Sequence, residues 1–231
     1  MDEPLKERVA RGVFLRGPVL GLVPARGGSQ RLPGKNLMKL GGKTLIERTV
    51  EAAAPVIGLD NLCLSSDGED ILAEGHRLGI LALPRPSCLA TSTATAKDVA
   101  LHVLDTLPQY RTLLYLQPTS PFRTSDTIRT CLLVHEDGQS NSVLTVQKSP
   151  LGPEDIWALK DGEMVRSKAT ASQPLLPNGA VYVCDVEALR RDASGGFIVA
   201  PSRTVIMSPE RSVDIDTAED FTLAKALVDE V

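Results

Sequence analysis

Short, almost wholly apolar runs alternate with amphipathic helical stretches along most of this chain, and that alternation restricts its fold more than any other feature. Val19–Val23 (VLGLV) reads as a buried strand, as do residues 61–65 (NLCLS), 112–117 (TLLYLQ) and 142–147. Between them, residues 44–54 place Leu45, Ile46, Thr49, Val50 and Ala53 on one helical face, and residues 95–107 place Val99, Ala100, Val103, Leu104 and Leu107 on another. A helix near 69–78 leads to an apolar run at 79–83, and Ser125 is placed to cap a helix running to about 136. The pattern resumes with strands at Ala180–Cys184 and Arg203–Met207 and a helix from about 217. Strands apolar on both faces need cover on both faces, so the expected fold is α/β, a three-layer and mostly parallel sheet. Ligands of such sheets sit outside the carboxyl ends of the strands. Residues 148–177 break the pattern with several prolines, the only Trp and no period, and read as a lid, a small subdomain or a dimerisation arm. Residues 1–18 are taken as an N-terminal extension, with one domain from 19 to 231.

Composition narrows the function. A chain of 231 residues, 42% hydrophobic, can bury a core without disulfide or metal staples. Its net charge of −4 argues against general nucleic-acid binding, so any cationic site is local. No apolar stretch approaches a membrane span. The cysteines at 63, 88, 131 and 184 form no CxxC pair and read as reduced, mostly buried thiols. A cytoplasmic enzyme or binding protein is the class that remains.

Directly after the first strand comes LVPARGGSQRLPGKNL, Leu22 to Leu37. Gly27, Gly28 and Ser29 let the backbone approach an anion with successive N–H groups, and Arg26, Arg31 and Lys35 bring three cations to the same loop. That combination suits a triphosphate, while the spacing matches neither GxGxxG nor GxxxxGK[ST]; the alternative is a solvated basic turn. In SVDIDTAEDF, Ser212 to Phe221, period-2 alternation puts Asp214 and Asp216 on one face and Val213 and Ile215 on the other. Two such carboxylates suit a Mg²⁺ that also binds phosphate, and Asp216 or Thr217 also suits a helix cap. LYLQPTSPFRTSD offers Gln117, Thr119 and Ser120 at a strand end, and in LPNGAVYV the Asn178-Gly179 pair reads as a tight turn. Asp67, in SSDGED, either touches a nucleotide or caps the next helix. His76, His102 and His135 lie singly on helices without metal-ligand spacing.

Taken in order, PARGGSxRLPGKN, LQPTSPxR, PNGAxYx and SxDIDTxxDF resemble the acylneuraminate cytidylyltransferase family, from about Val19 to Leu227. The resemblance implies a Rossmann-like sheet of the nucleotide-diphospho-sugar transferase type and transfer of CMP from CTP to a small acidic acceptor, with release of pyrophosphate. By matching position, Ala25, Arg26, Gly27, Gly28, Ser29, Lys35 and Arg85 would hold the nucleotide, with Arg26, Lys35 and Asp216 catalytic. Asp214 and Asp216 would hold Mg²⁺, and Gln117, Asn178 and Phe197 would meet the acceptor, Phe197 as an aromatic wall. A homodimer is implied as well. The attacking hydroxyl's proton needs an acceptor, either Asp216 or a hydroxide on the metal.

The chain departs from the sialic-acid pattern on the acceptor side. An RRQ-like basic run before PNG is replaced by VRSKATASQPLLPNG, where only Arg166 and Lys168 carry charge and Leu176 stands at an Arg position. Ser92 stands where many members have Asp. A sialic or other nonulosonic acid is the expected acceptor; the alternatives are a small phosphonate, which would attack already ionised, and an inactive nucleotide-binding regulator.

Overall fold

The computed structural model describes residues 16–29, 31–91, 93–155, 157–161, 163–166 and 173–228. Its strands and helices, in chain order, are β1 (Val19–Pro24), β2 (Lys39–Leu40), β3 (Lys43–Thr44), α1 (Leu45–Ile57), β4 (Leu62–Ser66), α2 (Glu69–Arg77), β5 (Leu81–Pro84), α3 (Ala96–Thr106), β6 (Thr112–Tyr115), α4 (Ser125–Glu136), β7 (Ser142–Lys148), β8 (Trp157–Lys160), β9 (Glu163–Arg166), β10 (Leu175–Asp185), α5 (Val186–Arg191), β11 (Ser202–Ile206) and α6 (Ala218–Leu227). Seven strands form one sheet in the order β11-β7-β10-β6-β1-β4-β5. All neighbours are parallel except β10, which runs antiparallel to both β6 and β7.

Alternation along the strands builds two cores. Val19 and Val23 of β1 face a cluster with Ile46, Val50 and Ala53 of α1 and Ile128 and Leu132 of α4, whereas Leu20 and Leu22 face Ala100, Val103 and Leu104 of α3 and Leu189 of α5. The three-layer expectation is met because both faces of each central strand are covered. Gly21 has no alternative at its place: a Cβ would stand 2.5 Å from Leu62 Cδ2 and 2.6 Å from Ile57 Cδ1.

Several local expectations change. Thr124, not Ser125, caps α4 by accepting the Thr127 N–H, and the Ser125 hydroxyl instead donates to the Ala52 carbonyl of α1. The Asn178-Gly179 pair is not a turn into a strand but an irregularity inside the eleven-residue β10, where its register against β7 shifts between Pro177 and Tyr182. The stretch 148–177 contains the β8–β9 hairpin and the start of β10, so part of it is ordered sheet. Gln30, Ser92 and Lys168 lie outside the described residues. Among the described residues no helix is long and apolar enough to cross a membrane. Cys63, Cys131 and Cys184 are buried, and burial pushes each thiol up to about 12; Cys88 is exposed.

His135 sits fully buried at the end of α4, where Arg16 Nη1 lies 3.4 Å from Nδ1 and also donates to the Ser140 carbonyl at 2.8 Å. Burial first, and the Arg16 charge second, push the imidazole pKa from 6.5 down to about 4, against smaller opposing pulls from Asp185 and Asp137. The unfolded chain therefore takes a proton that the folded chain refuses. Stability from this group is complete above pH 6.5 and is lost as pH falls toward 4, by on the order of 3 kcal/mol. Urea unfolding at pH 7 and pH 4.5 is expected to show that loss, and His135→Gln to flatten it; an equally steep decline in the variant would assign the loss to other groups.

Candidate active site

A cavity of about 510 Å³ opens where β1, β5 and β6 end. Its basic wall is the loop after β1. Ala25, buried, donates its N–H to the Ser65 carbonyl at 3.0 Å, which keeps the loop's start in register with β4. Asn36, also buried, donates from Nδ2 to the Arg26 carbonyl at 3.1 Å and clasps the far end of the loop to its beginning. So held, the loop turns Arg26, Ser29, Arg31 and Lys35 to the cavity. Asp67 serves this loop, accepting the Gly27 N–H at 2.9 Å, and does not cap α2, whose N-cap is Gly68.

The acidic wall faces it. Ile215 is fully buried with Leu40, Leu45, Phe122, Phe221 and Ala224, and its N–H donates to the Thr119 carbonyl at 2.8 Å. With Ile215 driven inward, both Asp214 and Asp216 line the cavity, as the alternation requires. Thr217 caps α6 in a reciprocal box with Asp220, leaving Asp216 free of capping. Lys35 Nζ lies 2.8 Å from Asp216 Oδ1, and Arg31 Nη2 lies 2.5 Å from Oδ2. Lys35 above all, with Arg31, holds the Asp216 carboxyl below the usual carboxylate range. Asp214 behaves oppositely. The cavity wall strips it of water and the Asp216 charge adds to the effect, so its carboxyl rises, with the Thr119 hydroxyl bond and Lys35 opposing. Among the described residues no cation bridges Asp214 within 4.0 Å.

This donor set fits a hard divalent cation. It offers two carboxylates, one of them uncompensated, and among the described residues no cluster of three His, Cys, Asp or Glu. Mg²⁺ keeps several waters and takes one or two carboxylates together with substrate phosphates, which matches a site of this kind beside three cations.

The remaining walls are more neutral. Arg85 is buried, donates from Nη2 to the Ser65 carbonyl at 2.7 Å, and has its pKa lowered by burial. Tyr115, Gln117 and Thr119 follow from β6, and Thr95, Ala96 and Val99 from the start of α3.

Of the residues singled out from sequence, Arg26, Ser29, Lys35, Arg85, Gln117, Asp214 and Asp216 line this one cavity. Ala25, Gly27, Gly28, Asn178 and Phe197 do not. Phe197 is buried beneath Tyr115, ring centroids 4.4 Å apart, so it backs the cavity instead of walling it. Asn178, 6% exposed, accepts from Thr145 Oγ1 at 2.6 Å and donates to Ser212 Oγ at 2.9 Å, two residues before Asp214. The Gly27 N–H is taken by Asp67, and Gly28 is exposed at the loop's tip. Tyr115 and Asn36 line the cavity without having been singled out. Tyr115 looks like strand core in sequence, and Asn36 carries no chemistry until the loop closes.

Gly179 makes the Gln117 position possible. Its φ is +75°, and a Cβ there would lie 2.4 Å from Gln117 Oε1. Gly179→Ala is expected to cost about 1–2 kcal/mol from backbone strain alone and to displace Gln117 as well. In thermal unfolding, adding Gln117→Ala to Gly179→Ala should recover part of the loss; strict additivity would mean the two do not touch.

The sequence profile of the cytidylyltransferase family matches residues 20–172. The chain is 31% identical to the CMP-N,N'-diacetyllegionaminic acid synthase of Legionella pneumophila, over 91% of this chain and 96% of that protein. It is 29% identical to an N-acylneuraminate cytidylyltransferase of Escherichia coli over 91% of its own length, and spans 52% of that longer protein. Among solved structures, the 4-diphosphocytidyl-2C-methyl-D-erythritol synthase of Anaerococcus prevotii superposes with a TM-score of 0.71 over 99% of this chain and 100% of that one, at 14% identity, a likeness of fold.

Proposed function

Because this chain belongs to the cytidylyltransferase family, we propose that it transfers CMP from CTP to a hydroxyl of a nonulosonic acid, a sialic-like acid, and releases pyrophosphate. The observation that carries this reading is the facing of Arg26, Arg31 and Lys35 by Asp214 and Asp216 across one cavity. The activities named for the Legionella and Escherichia relatives support the acceptor class. The chain's use as a homodimer in the cytoplasm belongs to the same proposal; Leu175, Leu176 and Ile206, exposed on the β10–β7–β11 side, are apolar surface a second copy would cover.

Arg26 and Lys35 bind the triphosphate, and Ser29 adds a hydroxyl at the same wall, its N–H being bonded to the Gly27 carbonyl at 3.0 Å. Lys35 is the cation placed to follow the charge as it moves onto the leaving pyrophosphate. Asp214 and Asp216 would hold a Mg²⁺, which when bound would neutralise phosphate charge and polarise the attacked phosphorus. Arg31 and Lys35 neutralise Asp216 in the free protein, and a triphosphate at this wall would compete for the same two cations, leaving Asp216 an open carboxylate that would hold the metal together with Asp214. Arg85 lies beside the nucleotide, its guanidinium aimed by Ser65. Gln117 reaches the acceptor directly, whereas Asn178 and Phe197 act from behind the wall, through Ser212 and Tyr115.

Pyrophosphate release is the test, with CTP and Mg²⁺ against sialic acid, other nonulosonic acids, 3-deoxy-manno-octulosonate and small phosphonates. Turnover with a nonulosonic acid is expected. Turnover with a phosphonate alone would keep the CTP half and overturn the acceptor, and none with any acceptor would overturn the transfer reading.

A further inference from the structure

We propose that Arg123 is a positioning residue for this reaction, its guanidinium bridging α1 to the Gln117 carbonyl and so holding the turn that presents Gln117 and Thr119 to the cavity. The inference rests on the reading of the cavity as the transfer site.

Arg123 lies just before the α4 cap and is 4% exposed. One nitrogen, Nη1, donates to Thr49 Oγ1 at 3.1 Å; Thr49 is itself buried on α1 and bonded to the Leu45 carbonyl at 2.9 Å. The other, Nη2, donates to the carbonyl of Gln117. Its Nε is buried with no partner, and no carboxylate stands within ion-pair distance among the described residues. A buried guanidinium without a counter-ion is costly, and well-packed apolar residues commonly replace such charges without loss of stability. Packing alone therefore does not account for an arginine here.

What the guanidinium holds is more specific. The Gln117 carbonyl also accepts the Ser120 N–H at 3.2 Å, which closes the turn. From that turn the Thr119 carbonyl takes the Ile215 N–H at 2.8 Å, between the two acidic residues of the opposite wall. One side chain thus ties the scaffold helix α1 to the turn, and through the turn to the Asp214–Asp216 segment. Asp214 is also the acid whose charge reaches Arg123, opposing a burial that pushes the guanidinium down to about 9. Gln117 and Thr119 are short-range polar groups, and a shift of one ångström in their backbone is enough to spoil the alignment of an in-line attack.

The test uses Arg123→Met, which keeps the bulk and removes fork and charge, beside Arg123→Lys. In Arg123→Met, amides of residues 116–120 and 213–216 are expected to exchange hydrogen at least tenfold faster, while β1 and β4 exchange as in the parent and the midpoint of thermal unfolding is unchanged or higher. In the pyrophosphate assay kcat should fall about 30-fold with KM for CTP within threefold. Arg123→Lys, reaching one acceptor in place of two, should recover part of kcat. Unchanged exchange at 116–120 would overturn the proposal, and so would faster exchange throughout the sheet with a lower unfolding midpoint, which would make Arg123 a packing residue. If the parent protein releases no pyrophosphate with any acceptor, the transfer reading fails, and the exchange pattern alone decides whether Arg123 holds the turn.

Discussion

Asp216→Ala is expected to lower kcat by about a thousandfold or more while leaving the fold intact. The carboxylate has two tasks in one place. It neutralises Lys35 at 2.8 Å and Arg31 at 2.5 Å in the free protein, and in the proposed reaction it would supply, with Asp214, the oxygen ligands for the metal. Its structural contribution is small, because Asp216 and Arg31 are both open to water and exposed ion pairs are worth about 0–1 kcal/mol. The segment keeps its place through Ile215, fully buried, and through the Asp216 N–H, which donates to Asp220 Oδ2 at 3.0 Å whatever the side chain. Circular dichroism and thermal unfolding should therefore match the parent, while a Mg²⁺ titration shows a weakened requirement at residual turnover. Asp214→Ala is expected to lose activity equally and to leave stability nearly unchanged, since it removes a desolvated carboxylate that Asp216 repels and that Lys35 and Arg123 attract. Parental turnover in either variant would remove the acidic wall from the mechanism.

Lys35→Met comes second in size, with kcat expected to fall about 10²- to 10³-fold and KM for CTP less than tenfold. In the proposed reaction binding of the triphosphate would be shared with Arg26 and Arg31, which line the same wall, so ground-state affinity should survive one loss. The charge that develops on the leaving group is not shared in this way, because Lys35 is the least exposed partner of the Arg31–Asp216–Lys35 cluster and its field is the least screened by water. Removing Lys35 also strips Asp216 of the partner that most depresses its pKa. The acidic limb of the pH–rate profile should then move upward. A variant with normal kcat and a large rise in KM would make Lys35 a binding residue instead of a catalytic one.

How much of this was legible beforehand depends on the range of the signal. Val19–Val23 reads as a buried strand because its side chains alternate between two apolar cores, a property of neighbouring residues alone. The same holds for Asp214 and Asp216, where burial of Ile215 is written into the order of polar and apolar side chains. Local signals failed where a distant partner took the group in question. The Gly27 N–H looked free for phosphate until folding brought Asp67 to it from 40 positions away. Asn178 looked like turn chemistry, and is instead the hub of hydrogen bonds to Thr145 and Ser212, at separations of 33 and 34. Phe197 has an aromatic's signature wherever it sits; only its packing on Tyr115 puts it behind the wall.

Taken by itself, then, the order of residues determined the layered sheet, the basic loop after its first strand, the paired carboxylates and the family. Periodicity, glycine placement and charge spacing are properties of short segments and need no partner to be read. Tertiary structure alone decided that Lys35 meets Asp216 across 181 residues, that Arg31 shares it, and that a buried arginine props the turn between them. Those contacts depend on how three layers stack and on which polar groups find one another once water is excluded, and no local pattern carries that information.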